Sequence, residues 1–412
     1  MKKIVLFIGL ILLLIVGLYF SGKIVFHRTF KKAMVAYKAQ NMTDAEKYLK
    51  ISLFCKRKNS EALIYLAKIQ FSFGKTKEAE STIKKLSEII PEDAEYFALK
   101  GQLAVSKKDY KSALEELNKA ISKDSLLSFG YYFRGIAKAN LNDLKGAASD
   151  YTKAQELDNT NLEALKNSTN LNIKLENYVA IIDNYNKLLK INPLNSEAYL
   201  QRGNFKMAIG EFKNAIQDYS KAIDLSPTLA EAYFNRGKSY AQNENYLEAI
   251  NDFEKSYSMN YKSSSSLYYS GFSWLKLQQP KKAKKCLEDC IHIDINNDIT
   301  GNAMHLLGII ESMQNNYKAS IKLFSEALAK DSTIIDVYFN RAIAYEYLKD
   351  YKNALRDLDK CIEKGKKTAD VYFARGVQKI NLNDKPGGCS DFTIASNSGF
   401  AQALEYKKIY CK

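Results

Sequence analysis

Histidine, tryptophan and proline are scarce in this chain of 412 residues, which holds 3 His, 1 Trp and 5 Pro. Five prolines and 19 glycines leave long stretches free for helix, and with 46% apolar residues the composition excludes a disordered or low-complexity protein. His27, His292 and His305 stand far apart, and none lies in the sequence context of a Ser or Cys nucleophile. Neither a glycine-rich phosphate loop nor a paired CxxC is present. The expectation is a non-enzyme with no cofactor, no metal and no small-molecule substrate.

Six cysteines are too dispersed to form a zinc ligand set. Cys286 and Cys290, at i and i+4 on an expected helix, read as small apolar packing residues. Cys389 and Cys411 bracket the last stretch, where a disulfide is open to them if the chain is exported.

The formal charge of +15 is uneven, for residues 1–59 hold twelve Lys and Arg against only Asp44 and Glu46. A nucleic-acid-binding body would carry its basic excess along its own surface, so nucleic acid is not an expected partner. Lys2 and Lys3 precede an uncharged apolar run, Ile4 to Phe20. As a helix it would span roughly 25 Å against a hydrocarbon core of about 30 Å. The run is longer than the usual ~7–15-residue signal-peptide core and no A-x-A site comes after it, so residues 1–25 are expected to form an uncleaved transmembrane anchor, a signal-like segment staying open as the alternative.

The side on which the body lies is less clear-cut, because the charge signals conflict. A short Lys-Lys tail stays in the cytoplasm and sends the C-terminal body across the bilayer, whereas Lys23, Arg28, Lys31, Lys32 and Lys38 after the run favour a cytoplasmic body. The expectation is a single-pass anchor with an extracytoplasmic (periplasmic) body, the cytoplasmic side staying open.

What the chain has in abundance is repetition. SEAYLQRGNFKMAIGEFKNAIQDYSKAIDLSPTL, from Ser196, is succeeded by AEAYFNRGKSYAQNENYLEAINDFEKSYSMN, and matching residues shift by 34. A fixed period of this size marks a stacked array in which each unit buries its apolar face only against neighbours. The frame gives units starting at Phe26, Ser60, Ala94, Ser128, Leu162, Ser196, Ala230 and Ser264 and, after three extra residues at Asp298 to Thr300, at Gly301, Ile335 and Ala369. Position eight of each unit is small almost throughout, as at Ala33, Gly101, Gly203 and Gly376, and position twenty repeats this at Ala45, Ala113, Ala215 and Ala354. Small residues at facing places let two helices approach closely. The segment 260–300 is the irregular part, and YKSSSS from Tyr261 is expected to loosen the junction before Ser264.

Small residues at eight and twenty, Ala at twenty-seven (Ala120, Ala154, Ala222, Ala327) and Pro at thirty-two (Pro91, Pro193, Pro227) resemble the tetratricopeptide repeat. The resemblance covers residues 26–402. It implies an all-α fold, a right-handed superhelical solenoid of about eleven antiparallel helix pairs whose first helices line a concave groove for protein segments. In the last unit Pro386-Gly387-Gly388 replaces the expected start of the second helix. The stretch from there is similar to the closing units of bacterial tetratricopeptide proteins, and Ala401 to Cys411 reads as a capping helix that sets residues 403–412 apart from the repeats.

Arg at position seven always arrives with Asp at position twenty-three: Arg134 with Asp150, Arg202 with Asp218, Arg236 with Asp252, Arg341 with Asp357, and Arg375 with Asp391. Lys100 and Glu116 make a sixth such set. In a hairpin turning near position fifteen these places lie side by side on facing helices, so each set reads as an ion pair within its unit rather than as a ladder for anionic ligands.

By the resemblance, positions two, five, six, nine, twelve and thirteen of the first helices line the groove. The candidates named for partner binding are Phe129, Tyr132, Gln201, Asn204, Phe234, Asn235, Lys238, Tyr268, Tyr269 and Asn340. Asparagines at position six offer hydrogen bonds to an extended peptide backbone. A clamp for terminal carboxylates, known in chaperone-binding members, is matched by Asn204 and Asn235 but lacks its cations, since Leu200, Ser265 and Tyr269 occupy their places. The functional expectation is a membrane-tethered scaffold or adaptor for protein partners or peptide segments; the alternative is an assembly or export factor that takes extended or unfolded clients.

Overall fold

The structure is a computed structural model that describes residues 22–293 and 299–412. The expected span Ile4 to Phe20 and Asp298 of the insertion lie outside the described residues. Among the described residues every regular element is a helix, and none is long and apolar enough to cross a membrane. The chain divides into two compact units, Met1–Pro193 and Leu194–Lys412.

The first unit pairs α1 (22–38) with α2 (Met42–Cys55), α3 (Ser60–Ser72) with α4 (Thr76–Ser87), and α5 (Ala94–Ser106) with α6 (Tyr110–Lys123). Its remaining pairs are α7 (Ser128–Asn140) with α8 (Leu144–Leu157) and α9 (Leu162–Lys174) with α10 (Tyr178–Ile191). The second unit opens with α11 (Ser196–Ala208) and α12 (Phe212–Leu225), then α13 (Ala230–Gln242) and α14 (Tyr246–Ser258). It continues through α15 (Ser263–Lys276), α16 (Pro280–Ile293), α17 (Thr300–Met313) and α18 (Tyr317–Lys330). Its last helices are α19 (Ile335–Tyr347), α20 (Tyr351–Glu363), α21 (Ala369–Asn381), α22 (Lys385–Asn397) and a terminal α23 (Ala401–Tyr410). The all-α solenoid class that the period implies is thus the fold of each unit.

Each hairpin closes at position fifteen, where the residue is left-handed: Lys108 at φ 62°, Glu244 at 62° and Gly210 at 81° are examples. The next residue often starts the second helix as its cap, as where Asp109 accepts from the Ser112 amide at 3.2 Å and Asp350 from that of Asn353. Position eight then meets position twenty-four of the facing helix. A β-carbon at Gly203 would lie 2.7 Å from Tyr219 Cε1, and one at Gly308 2.5 Å from Phe324 Cε1, both under contact distance. Glycine is required there because the facing ring takes up the space of a side chain. Where the small residue is alanine the facing one is aliphatic, as in the buried sets Ala33 with Leu49 and Ala342 with Leu358.

Two expectations need correction. The junction before Ser264 is closed, not loosened: Asn260 and Lys262 turn the chain at φ 56° and 43°, and Ser256 Oγ donates to the Tyr261 carbonyl at 3.1 Å. Ser266 Oγ lies 3.3 Å from Ser256 Oγ, and Ser264, Ser266, Ser270 and Ser273 are all buried on α15. Small hydroxyl side chains let α15 approach α14 closely while satisfying their own polar groups.

Nor does Pro386 displace the second helix of the last unit. α22 starts at Lys385 with Asp384 accepting from the Gly387 amide at 2.9 Å, and a proline in the first turn gives up an N–H that has no helical partner. The closing helix α23 starts at Ala401 as expected, and a Cys389–Cys411 disulfide ties its end to α22 with a Cα–Cα distance of 5.6 Å. Of the other cysteines, Cys290 is fully buried, donating to the Ser264 carbonyl at 3.1 Å, which fits a packing role.

Candidate partner groove

The arginines at position seven turn inward. Arg134 donates from Nε to Asp150 Oδ2 at 2.8 Å and from Nη2 to Oδ1 at 2.7 Å. The same fork joins Arg202 to Asp218, Arg236 to Asp252, Arg341 to Asp357 and Arg375 to Asp391. The aspartates are 1–5% exposed, so their charge is answered inside the hairpin and offers nothing to a ligand. The hydrogen bonds that Arg134 donates to Asp150 raise the pKa of Arg134, whereas burial raises that of Asp252 against the pull of Arg236.

Two features of this ladder are not legible in the sequence. Nη1 of Arg134, Arg236, Arg341 and Arg375 reaches back to Asn118, Ser220, Ser325 and Asp359, position twenty-five of the preceding unit. Each such arginine therefore links two hairpins. In three units a Lys at position eleven adds a second cation: Lys138, Lys206 and Lys379 lie 2.8 Å from Asp150, Asp218 and Asp391. Lys100 and Glu116 meet at 3.0 Å in the sixth set.

The ten groove candidates divide. Phe234 is 3% exposed, its ring 5.9 Å from those of Phe253, Tyr261 and Tyr269, so it belongs to the core and not to a binding surface. Asn235 is 8% exposed and donates to Asn204 Oδ1 at 2.9 Å, the same oxygen that takes the Tyr219 hydroxyl at 2.8 Å. Asn340 likewise lies 2.8 Å from His305 Nε2. The asparagines expected to hold a peptide backbone instead hold the neighbouring first helix. Each thereby makes at least one side-chain hydrogen bond within the array.

The others are half-buried. Gln201 donates to Glu197 at 2.7 Å. Phe129 and Tyr132 flank Phe133, at 4.7 and 5.1 Å between centroids, and the Lys68 ammonium sits 5.0 Å over Phe129. Tyr269 stacks on Phe253, and Tyr268, whose hydroxyl is pushed up to about 12 by burial, sits beside it at 5.1 Å. Lys238 lies 5.8 Å over Tyr269, with its pKa lowered by burial and by Lys262.

Farther along the second unit, the same first-helix positions form a cavity of about 530 Å³. Phe339, Ile343 and Glu346 of α19, at positions five, nine and twelve, face Phe373, Ala374 and Val377 of α21, at positions five, six and nine. Tyr347, 64% exposed and stacked 4.5 Å from Tyr317, stands at one side, and Phe400 before α23 at another. Glu346 Oε2 accepts from Gln378 Nε2 at 2.7 Å, and burial raises its carboxyl pKa. None of these residues was among the ten, although the same positional rule applied to the last two units points to all of them but Tyr317, Gln378 and Phe400. Among the described residues no group of three or more His, Cys, Asp or Glu stands ready to hold a metal ion.

Fold and groove together define a helical-hairpin repeat protein. Family models described as tetratricopeptide repeat match residues 36–103, 94–124, 230–263 and 335–363, and one described as TPR repeat matches 203–244. Those stretches of the chain match tetratricopeptide repeats. No curated protein matches it. Among solved structures, it is similar to a chain of the APC/C hetero-tetramer Cut9-Hcn1, at 13% identity over 92% of this chain and 95% of that one, with a TM-score of 0.46. A tetratricopeptide repeat protein from Parabacteroides merdae is 21% identical over 61% of this chain and 98% of its own, with a TM-score of 0.46. Yeast Tom70 is 11% identical over 93% and 95%, with a TM-score of 0.43.

Proposed function

We propose that this chain is a non-catalytic scaffold of the bacterial type, holding protein partners or extended segments of them along the first helices of its repeats, beside a membrane. The observation that carries the reading is the cavity between α19 and α21, where aromatic rings and carboxylates meet at the positions a tetratricopeptide array uses for recognition. The tether is the apolar run Ile4 to Phe20 with its flanking lysines, and the body lies on the extracytoplasmic side. The pairing of Cys389 with Cys411 supports an oxidising compartment, because cytosolic thiols are held reduced.

A photo-crosslinking residue placed at Tyr347 or Val377 in the full chain tests the binding face, with Lys322 on α18, 79% exposed at its side chain, as the reference site. A few stoichiometric adducts at the first two sites and none at the third are the expected result. Many unrelated extended clients would instead identify an assembly or export factor, and equal labelling at all three sites would remove the groove reading. Alkaline phosphatase fused after Lys412 should be active; an inactive fusion places the body in the cytoplasm.

A further inference from the structure

The chain pairs its buried negative charges. Among the described residues the five aspartates of the arginine forks, Glu46 beside Lys50 and Lys75, and Glu311 beside Lys284 are the buried carboxylates, and each has a cation within 3 Å. Glu346 departs from this pattern. It is half-buried in the α19–α21 cavity, its carboxylate bonded to the Gln378 amide, with no Lys or Arg at ion-pair distance. Gln378 is fully buried, and its own Oε1 has no hydrogen-bond donor. A second carboxylate of the lining, Asp370, also lacks a cation, and the rim lysine, Lys349, is exposed and makes no ion pair. The cavity lining thus holds two carboxylates without an ion-pair partner, and its one cation, Lys349, stands exposed at the rim.

Its walls suit a cation. Phe339, Phe373 and Phe400 line it, and the chain already sets one ammonium, that of Lys366, 4.8 Å over the Phe339 ring. Rings attract cations through their negative faces, and a planar guanidinium both stacks on them and forks onto carboxylates. A volume of about 530 Å³ accommodates an arginine side chain with the residues beside it.

Building on the groove reading above, we propose that this cavity takes an arginine side chain from an extended segment of the partner, the guanidinium against Glu346 and Asp370 and its stem between Phe339 and Phe373. Lysine, unable to fork or stack in plane, is the weaker occupant.

The test uses the full chain in detergent and two fluorescent probes, acetyl-Leu-Arg-Leu-amide and its citrulline counterpart, which keeps the shape without the charge. The arginine probe should bind at least tenfold more tightly. In the Glu346→Gln, Asp370→Asn double variant, which keeps side-chain volume, that ratio should fall to within twofold while the thermal midpoint stays put. Equal binding of the two probes to the unaltered chain overturns the proposal, as does a ratio that survives the double substitution. If photo-adducts still form at Tyr347 and Val377 in either case, the groove reading stands and only the arginine preference fails; if they too are absent, both fall. Self-association of the chain that is blocked by the arginine probe would assign the cavity to a second copy and also overturn the partner proposal.

Discussion

Arg341 grips Asp357 from the facing helix, Nε to Oδ2 at 2.7 Å and Nη2 to Oδ1 at 2.9 Å, and with Nη1 it also reaches Ser325, sixteen residues earlier. One side chain thereby closes its own hairpin and fastens that hairpin to the one before. In an array whose stability is a sum of unit and interface contributions, such a residue acts on both.

Removing one partner of such a pair should cost more than removing both. Arg236→Met strands Asp252, which is 5% exposed, and is expected to cost about 3–5 kcal/mol, while Arg236→Met with Asp252→Leu should recover much of that. Urea midpoints of the single and double variants decide it. Equal midpoints would mean the pair does not hold the hairpin.

Gly308 and Phe324 lead to a second expectation. A β-carbon at Gly308 falls 2.5 Å from the ring, so Gly308→Ala should destabilise by about 1–3 kcal/mol through overpacking. Adding Phe324→Leu should restore most of the loss, because Ala342 over Leu358 is the same arrangement in a unit that already uses it. A double variant no more stable than the single one would show that the ring is not what excludes the side chain.

This pairing of positions eight and twenty-four also shows how much of the fold was legible. The period, the small residues and the Arg–Asp sets were readable because each depends on helix spacing alone, and the residues recur at fixed offsets. The link from Arg to position twenty-five was not, since Asn118, Ser220, Ser325 and Asp359 share a polar end but no single residue type. The site was read least well. Phe234 and Phe339 occupy the same fifth position, yet one is closed in by Phe253, Tyr261 and Tyr269 and the other lines a cavity. That difference comes from the bulk of neighbours on other helices. The YKSSSS junction misled for a related reason: serines that mark a loop in isolation become a close-packed seam when each finds a partner, as Ser266 does at Ser256.

The closing helix carries a third expectation. The disulfide between Cys389 and Cys411 spans 22 residues of sequence, and a loop of that order contributes about 3 kcal/mol by restricting the unfolded chain. Cys411→Ser should therefore release α23, seen as loss of hydrogen-exchange protection from Ala401 to Tyr410, with the earlier hairpins unaffected. Titration of the denatured, unreduced protein should find four free thiols, those of Cys55, Cys286, Cys290 and Cys361. Six would show that the pair stays reduced in the cell and would withdraw its support for an oxidising compartment.

Acid should loosen the chain in two windows around α17. Burial lowers the pKa of His305 below its ordinary 6.5, with Asp336 acting to raise it, Lys366 to lower it, and Asn340 hydrogen-bonded to the ring. A base whose folded pKa is depressed gives its full stabilisation above the unfolded value and loses it as pH falls from there toward the folded one. Glu311 is the lower window. Hydrogen bonds from Lys284 and Asn316 hold its carboxyl below the ordinary 4.5, so its contribution is complete above that value and is lost as pH falls through the folded one. Thermal midpoints of the full chain should fall as pH drops below 6.5, and again below 4.5. His305→Gln should flatten the first fall without touching the second, and Glu311→Gln should lessen the second, which Glu46 shares, without touching the first. If either substitution changes both windows, or neither, the acid response arises elsewhere in the array.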